Sequence, residues 1–447
     1  MRAGRRQDLP QVFLQELPCQ GDVQPSECAE GIHSYAMARV GVVVGDFPRP
    51  TETFILRLID VLGRIDSLDV TVLVCGGYDD AEFRRSAQFH RTLENVRLVS
   101  ISSANDLPSK AAALARTILS ARGTSRRALF TRAPTVVRFG DRGRASRLTD
   151  LIGRYGPFDV LHAQYLTHAR WLLPAVRVGA LRDSRLVIAS RGNDTTGPEA
   201  EGGLECLRSI MAVQEVVLTP VAQHLADELA ERGISADRII VVPSPIDGDS
   251  ITYVPPSRRG REALEMLFVG RLVEKKGVDW LLGVFGEVLR QQPTARLTVV
   301  GTGPKRSELE GLTRSQGLSE HVLFTGPLQH HKVIELMQRS HVTLVPSRRA
   351  RDGDSEGVPN VAKEAIVAGS IVIGSDHGGL RGLISDGDTG YSFHASSADR
   401  LLEAILRAVA SREDWDSVAW RALNRVQADF GYENVSARLL RAYGLEG

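Results

Sequence analysis

The sequence predicts an α/β protein built from two doubly wound, Rossmann-like parallel-sheet domains that face a central cleft. Three observations carry that expectation. From Arg39 onward, short apolar runs alternate with amphipathic stretches of helical spacing. The runs are too uniformly apolar for burial on one side, which is how parallel strands covered on both faces read. The alternation also occurs twice, and residues 249–263, DSITYVPPSRRGREA, stand between the two series as a proline- and charge-rich linker.

In the first series the expected strands are 39–45, 69–75, 96–101, 158–162, 186–190, 215–219 and 238–242, with helices such as 52–64, 109–122, 167–180 and 221–233 between them. In the second, strands are expected at 264–269, 295–300, 321–325, 342–346 and 371–374, and helices at 277–291, 304–317, 331–339, 358–369 and 397–411. Residues 414–444 read as further helices. This gives an N-terminal domain over 37–250, a C-terminal domain over 251–425 and a terminal helix in 426–447 that packs back on the first domain. Residues 1–36 are polar and aperiodic, as in a disordered tail or an over-called start.

The 447 residues suffice for two domains with full cores. A net charge of +1 gives no drive toward nucleic acid. Cys19, Cys28, Cys75 and Cys206 show no paired spacing, which fits a reducing compartment. No stretch has the apolar length of a membrane span and residues 1–36 lack the apolar core of a signal peptide. The expectation is a cytoplasmic catalytic region, peripheral to the inner membrane face if it touches lipid at all.

Strands of such domains aim their C-terminal ends at the cleft. The run LFVGRLVEKKGVDWLL places Gly270, Arg271, Lys275, Lys276 and Gly277 there. Basic side chains beside a glycine that admits close backbone approach suit a diphosphate, although a solvated basic loop reads the same way. VVGTGP at 299–304 is a second glycine loop without the third glycine and downstream acid of a dinucleotide fingerprint. In DSEGVPNVAKEAIVAG at 354–369, Glu356 precedes an expected helix and Glu364 lies eight positions on. That is roughly 12 Å of helical rise. Helix-start N–H groups bind phosphate and carboxylates accept from hydroxyls, so the pair suits a nucleotide-sugar; a capped, solvated helix start is the bland alternative.

Here a resemblance becomes specific. FVGRLVEKKG, VVGTGPKRSELE, VLFTGPL, LVPSRR, DSEGVPNVAKEAIVAG and GSDHGGL follow in order and spacing from about 264 to 392. They resemble the C-terminal half of family-four retaining glycosyltransferases of the GT-B fold. GDFPRPTETFILRLI at 45–59, DVLHAQY at 159–165, SRGNDTT at 190–196 and VAQHLADELAERGISADRIIVVPSPID at 221–247 match the first half more loosely. The TETFILR and DGDSEGVPN stretches are most similar to the subgroup that builds exopolysaccharide, colanic-acid-type enzymes included.

The resemblance implies a hexosyltransferase that moves sugar from a UDP- or GDP-sugar to a glycan or lipid-linked saccharide, with retention and without a metal or other cofactor. It makes Arg271, Lys276 and Glu356 the catalytic set, the two cations holding the pyrophosphate and Glu356 facing the sugar. Gly270, Gly301, Gly303, Gly326, Gly357 and Val358 fall to the donor site, with Glu364 on the ribose and 322–328 along the base. Arg191, Asn193, Asp194, His162 and Thr51 become candidate sugar or acceptor contacts.

Two departures stand out. Arg191 occupies the position where relatives carry a histidine, either meeting an anionic group or bracing Asp194, and Gly382 stands where many have a glutamate. His162 reads more readily as a packed core histidine than as an acid, and His330–His331 as the start of a surface helix. No histidines have zinc-ligand spacing. Residues 121–148 hold eight arginines and one acid, Asp141. That segment is either an anionic-membrane surface or a solvated basic insertion. The competing functions are a donor-binding subunit without catalysis, and another GT-B enzyme such as an epimerase or phosphorylase.

Overall fold

A computed structural model describes residues 37–49, 52–87, 93, 96–100, 139–197, 199–260, 262–351 and 357–446. The expected tail 1–36, the expected helix 109–122, Thr51, Glu356 and most of the arginine-rich 121–148 segment lie outside the described residues.

The chain from Met37 onward builds two six-stranded sheets. In the first, β1 (Ala38–Val44), β2 (Leu68–Val74), β3 (Arg97–Ser100), β4 (Val160–Ala163), β5 (Arg185–Ser190) and β6 (Val216–Pro220) lie in the order β3-β2-β1-β4-β5-β6. In the second, β7 (Glu265–Val269), β8 (Arg296–Val300), β9 (Val322–Gly326), β10 (Val342–Val345), β11 (Ile371–Ser375) and β12 (Tyr391–Phe393) lie in the order β12-β11-β10-β7-β8-β9. Every named pairing is parallel. Both orders are the doubly wound arrangement, with the direction of winding reversing between β1 and β4 and between β7 and β10.

Uniform apolarity explains why these strands are central. Val40, Val42, Val43 and Val44 of β1 are all fully buried, so both faces of the strand meet a core. One face of the first sheet carries the helices Phe139–Tyr155, Ala169–Arg177 and Ala200–Met211, and the other carries Thr53–Gly63. The second sheet is covered likewise, by Val278–Gln291 and Ala398–Ala410 on one side and by Asn360–Val367 and Trp415–Phe430 on the other.

The expected strand 238–242 is corrected. Its Ile-Ile-Val-Val run follows a single 3-10 turn, Ala236–Arg238, and makes one isolated bridge, Leu218 with Ile239. Ile240 and Val242 donate to the carbonyls of Leu218 and Pro220 at 2.9 and 3.0 Å as the chain leaves the sheet edge. Apolar content there serves a crossing segment rather than a seventh strand.

The chain crosses back at its end. The helix Trp415–Phe430 packs on the second sheet, and after Gly431 the helix Tyr432–Tyr443 joins the core of the first through Val435, Leu439, Ala442 and Tyr443. The Tyr443 hydroxyl lies 2.8 Å from His162 Nδ1. Among the described residues, no helix is long and apolar enough to cross a membrane.

Candidate active site between the two sheets

A cavity of about 890 Å³ opens where both sheets reverse their winding. Loops after β1 and β4 supply one wall, through Asp46, Arg49, Glu52, Tyr165 and His168. The loops after β7 and β10 supply the other, through Gly270, Arg271, Lys276, Gly357 and Val358. Crevices at such reversal points are where open α/β sheets bind ligands, because the chain diverges there and leaves strand ends uncovered.

The second-sheet wall is shaped by glycine. Gly277 has φ +66°, and a Cβ on it would stand 2.0 Å from the Pro346 carbonyl oxygen. Only glycine lets the loop after β7 press against β10 in this way, and that contact fixes Lys276 at the cavity edge. Gly301, with φ +132°, passes so close to Gly270 that a Cβ would meet the Gly270 carbonyl at 1.9 Å. Gly303 lies against the Leu272 carbonyl in the same manner, and Gly326 accepts the Gly301 N–H at 2.9 Å. Gly301, Gly303 and Gly326 therefore brace the loop that carries Arg271 and do not line the cavity. Arg271 is exposed and, among the described residues, has no carboxylate partner.

The start of the helix Asn360–Val367 faces the same space, with Val358, Pro359, Asn360 and Val361 on the lining. Its unsatisfied N–H groups favour an anion beside Arg271 and Lys276. Gly379 donates its N–H to the Gly357 carbonyl at 3.1 Å, so the glycine pair after β11 supports this turn from behind. Glu364, one turn deeper in the helix, is 6% exposed and off the cavity lining. It is ion-paired with Arg57 and lies 3.1 Å from His330 Nε2. Burial by itself would raise its pKa, but the Arg57 charge and the His330 contact bring it down to about 2.

The first-sheet wall is a network of paired side chains. Arg191 lines the cavity, yet its guanidinium is spent on Gln164 and Ser244 and sits 4.4 Å over the Phe54 ring. Asp194 receives the backbone N–H groups of Leu166 at 2.7 Å and Arg191 at 2.8 Å. The carboxylate thus holds the turn on which Arg191 stands. Asn193 lines the cavity beside them. Glu52 accepts from Tyr165, and burial raises its pKa. His168 stacks on Trp171 with ring centroids 3.9 Å apart, and Trp171 donates to Asp141 at 2.8 Å. Arg144 pairs with Asp46 at 3.3 Å, and Arg170 lies 3.7 Å from Asp141.

His162 stands apart from the open cavity, 1% exposed between Tyr443 and Thr219. Burial first, and then the charge of Arg191, hold its pKa down at about 3, so it is a neutral core group. His330 begins the helix His330–Arg339. Gly382 lies in the short helix Leu380–Leu383 with open space beside it. Of the described part of 121–148, Asp141 and Arg144 belong to the cavity wall and Arg147 reaches the Gly76 carbonyl at 3.5 Å. Sequence reasoning missed Asp46, Arg49, Glu52, Arg170 and Trp171; the signal available was their position just after expected strands or at a helix start.

Residues 253–422, which span the whole second sheet and its cation loop, match the family described as Glycosyl transferases group 1. That stretch of the chain is similar to group 1 glycosyltransferases. Its relatives include the putative colanic acid biosynthesis glycosyltransferase WcaL of Salmonella typhimurium, 28% identical over 50% of this chain and 55% of that one. The amylovoran biosynthesis glycosyltransferase AmsK of Erwinia amylovora is 28% identical over 48% of this chain and 53% of its own length. The chain thus spans about half the length of these curated relatives. Among solved structures, Anabaena Alr3699/HepE in complex with UDP superposes with a TM-score of 0.65 at 16% identity, over 91% of this chain and 100% of that one. The fold is GT-B, and the stretch similar to group 1 glycosyltransferases supplies its Arg271–Lys276 wall.

Proposed function

We propose that the protein is a retaining hexosyltransferase that moves a sugar from a nucleoside diphosphate sugar to a saccharide acceptor in exopolysaccharide or cell-surface glycan synthesis. The observation that carries this reading is the convergence of Arg271, Lys276 and the start of the helix Asn360–Val367 on one cavity, within a group 1 glycosyltransferase domain. Two cations and a helix start facing each other suit a diphosphate. The UDP named in the HepE complex and the colanic acid and amylovoran relatives favour the same substrate classes.

In this reading the acceptor hydroxyl oxygen bonds to the anomeric carbon as that carbon's bond to the diphosphate breaks, and Arg271 and Lys276 neutralise the leaving diphosphate. Glu356 faces the hydroxyls of the transferred sugar and Glu364 receives the ribose. The leaving phosphate takes the acceptor's proton on the same face, which preserves the anomeric configuration. The acceptor lies against the first-sheet wall, where Glu52, Arg49 and Asp46 offer both charges to a polar saccharide.

The test is nucleoside diphosphate release and glycan labelling when purified protein meets UDP- and GDP-hexoses with lipid-linked saccharides. Turnover that disappears in Lys276→Ala and Glu356→Gln supports the reading, whereas donor binding without turnover across acceptors favours a binding subunit. A lipid-linked acceptor also places the protein at the inner membrane face, and the basic 121–148 stretch suits anionic headgroups there. Pelleting with phosphatidylglycerol vesicles that persists unchanged in an arginine-to-glutamine variant of 122–138 overturns that lipid contact.

A further inference from the structure

Glu364 is held across the boundary between the two halves. Arg57, from the helix Thr53–Gly63 of the first half, and His330, from the second, both bind the same carboxylate oxygen, Oε1. Among the described residues, Oε2 accepts no hydrogen bond. Arg57 is 5% exposed and its Nη1 is buried without a partner. Two groups in direct contact therefore each keep one unused function, an acceptor on the carboxylate and a donor on the guanidinium.

Leaving a buried guanidinium N–H unpaired is costly, and native structures rarely do so without a reason. An acceptor and a donor offered together match a vicinal diol, since each hydroxyl both donates and accepts. One hydroxyl donates to Oε2 while its neighbour accepts from Nη1. We propose that Arg57 is a positioning residue for the donor ribose: it fixes Oε1 of Glu364 and presents Nη1, so the 2′- and 3′-hydroxyls are received jointly by the two halves. This rests on the nucleoside diphosphate sugar reading above. It adds that the first half, and not the group 1 domain alone, completes the nucleotide site. A buried clamp that merely joined the halves would stabilise the protein and be indifferent to the sugar hydroxyls.

The experiment compares binding of UDP and GDP with their 2′,3′-dideoxy forms to the full chain by calorimetry. Wild type is expected to prefer the ribose form of its nucleotide about tenfold or more, as for a hydrogen bond to a charged group. Arg57→Met is expected to reduce that ratio to about twofold while the dideoxy nucleotide binds as before. Arg57→Lys keeps the charge on Oε1 without the second N–H and is expected to retain an intermediate ratio, and it carries the test if Arg57→Met fails to fold. Glu364→Gln should lose the preference too, and Arg57→Met/Glu364→Gln should lose little more than either alone. Either Arg57 variant keeping the wild-type ratio overturns the inference and leaves the donor reading standing. Wild type that binds no nucleotide overturns both.

Discussion

The two halves share one strand order and meet the cavity with opposite kinds of wall. On the second-sheet side the wall is backbone: Gly277, Gly301 and Gly303 bring loops into contact, and Arg271 and Lys276 project from them. On the first-sheet side it is side chain against side chain, with Arg191 bound to Gln164, Asp194 bound to two backbone N–H groups and His168 stacked on Trp171. A wall made from loop backbone and cations suits a ligand part of fixed shape and charge, such as a diphosphate. A wall made from interlocked side chains can be rebuilt one residue at a time, which suits the part that varies.

Breaking each wall should therefore fail differently, and the largest effect belongs to chemistry. Lys276→Ala is expected to lower turnover about 10²–10³-fold, or roughly 3–4 kcal/mol of transition-state stabilisation, with little change in thermal midpoint. Steady-state rates and a thermal melt on the same preparation check it.

Asp194→Ala strikes the other wall. It strands the buried N–H of Leu166 and the part-buried N–H of Arg191, and should cost about 3 kcal/mol of stability as well as activity. Urea unfolding measures the first loss, and a midpoint within error of wild type contradicts the network described here.

Acid separates the halves by a smaller margin. Burial holds His162 and His168 of the first half at about 3, and His341 of the second at about 4. A folded pKa below the ordinary 6.5 means the unfolded chain binds protons that the folded chain refuses. Stability is thus complete above pH 6.5 and is lost as pH falls toward 3, by about 1.4 kcal/mol per unit for each histidine. Urea midpoints at pH 7 and pH 5 should show the fall, and His162→Gln should make it shallower.

The same contrast explains what could be read from the chain. Strands with buried centres such as β1 and β7 announce themselves because both faces are apolar there, whereas β12 has three residues, too short a run to stand out. Arg271, Lys276 and Gly277 lie in one contiguous run, so their chemistry was visible together. Asp46, Arg144, Trp171 and Arg191 become neighbours only after β1, β4 and β5 are laid side by side. The burial of Glu364 against Arg57 was equally hidden, because its cause lies on a helix of the opposite half. Gly301 and Gly303 were visible as glycines, but not as supports for Gly270.

The helix Tyr432–Tyr443 has a consequence for how the protein is made. Val40 and Val42 share a core with Leu439 and Ala442, yet about 400 residues separate them along the chain. At roughly 5–20 residues per second, the interval is on the order of tens of seconds. During that time the first sheet carries an uncovered apolar strip, and the second half must be threaded out before the strip is sealed. The first sheet therefore completes its core only after the second half has been made.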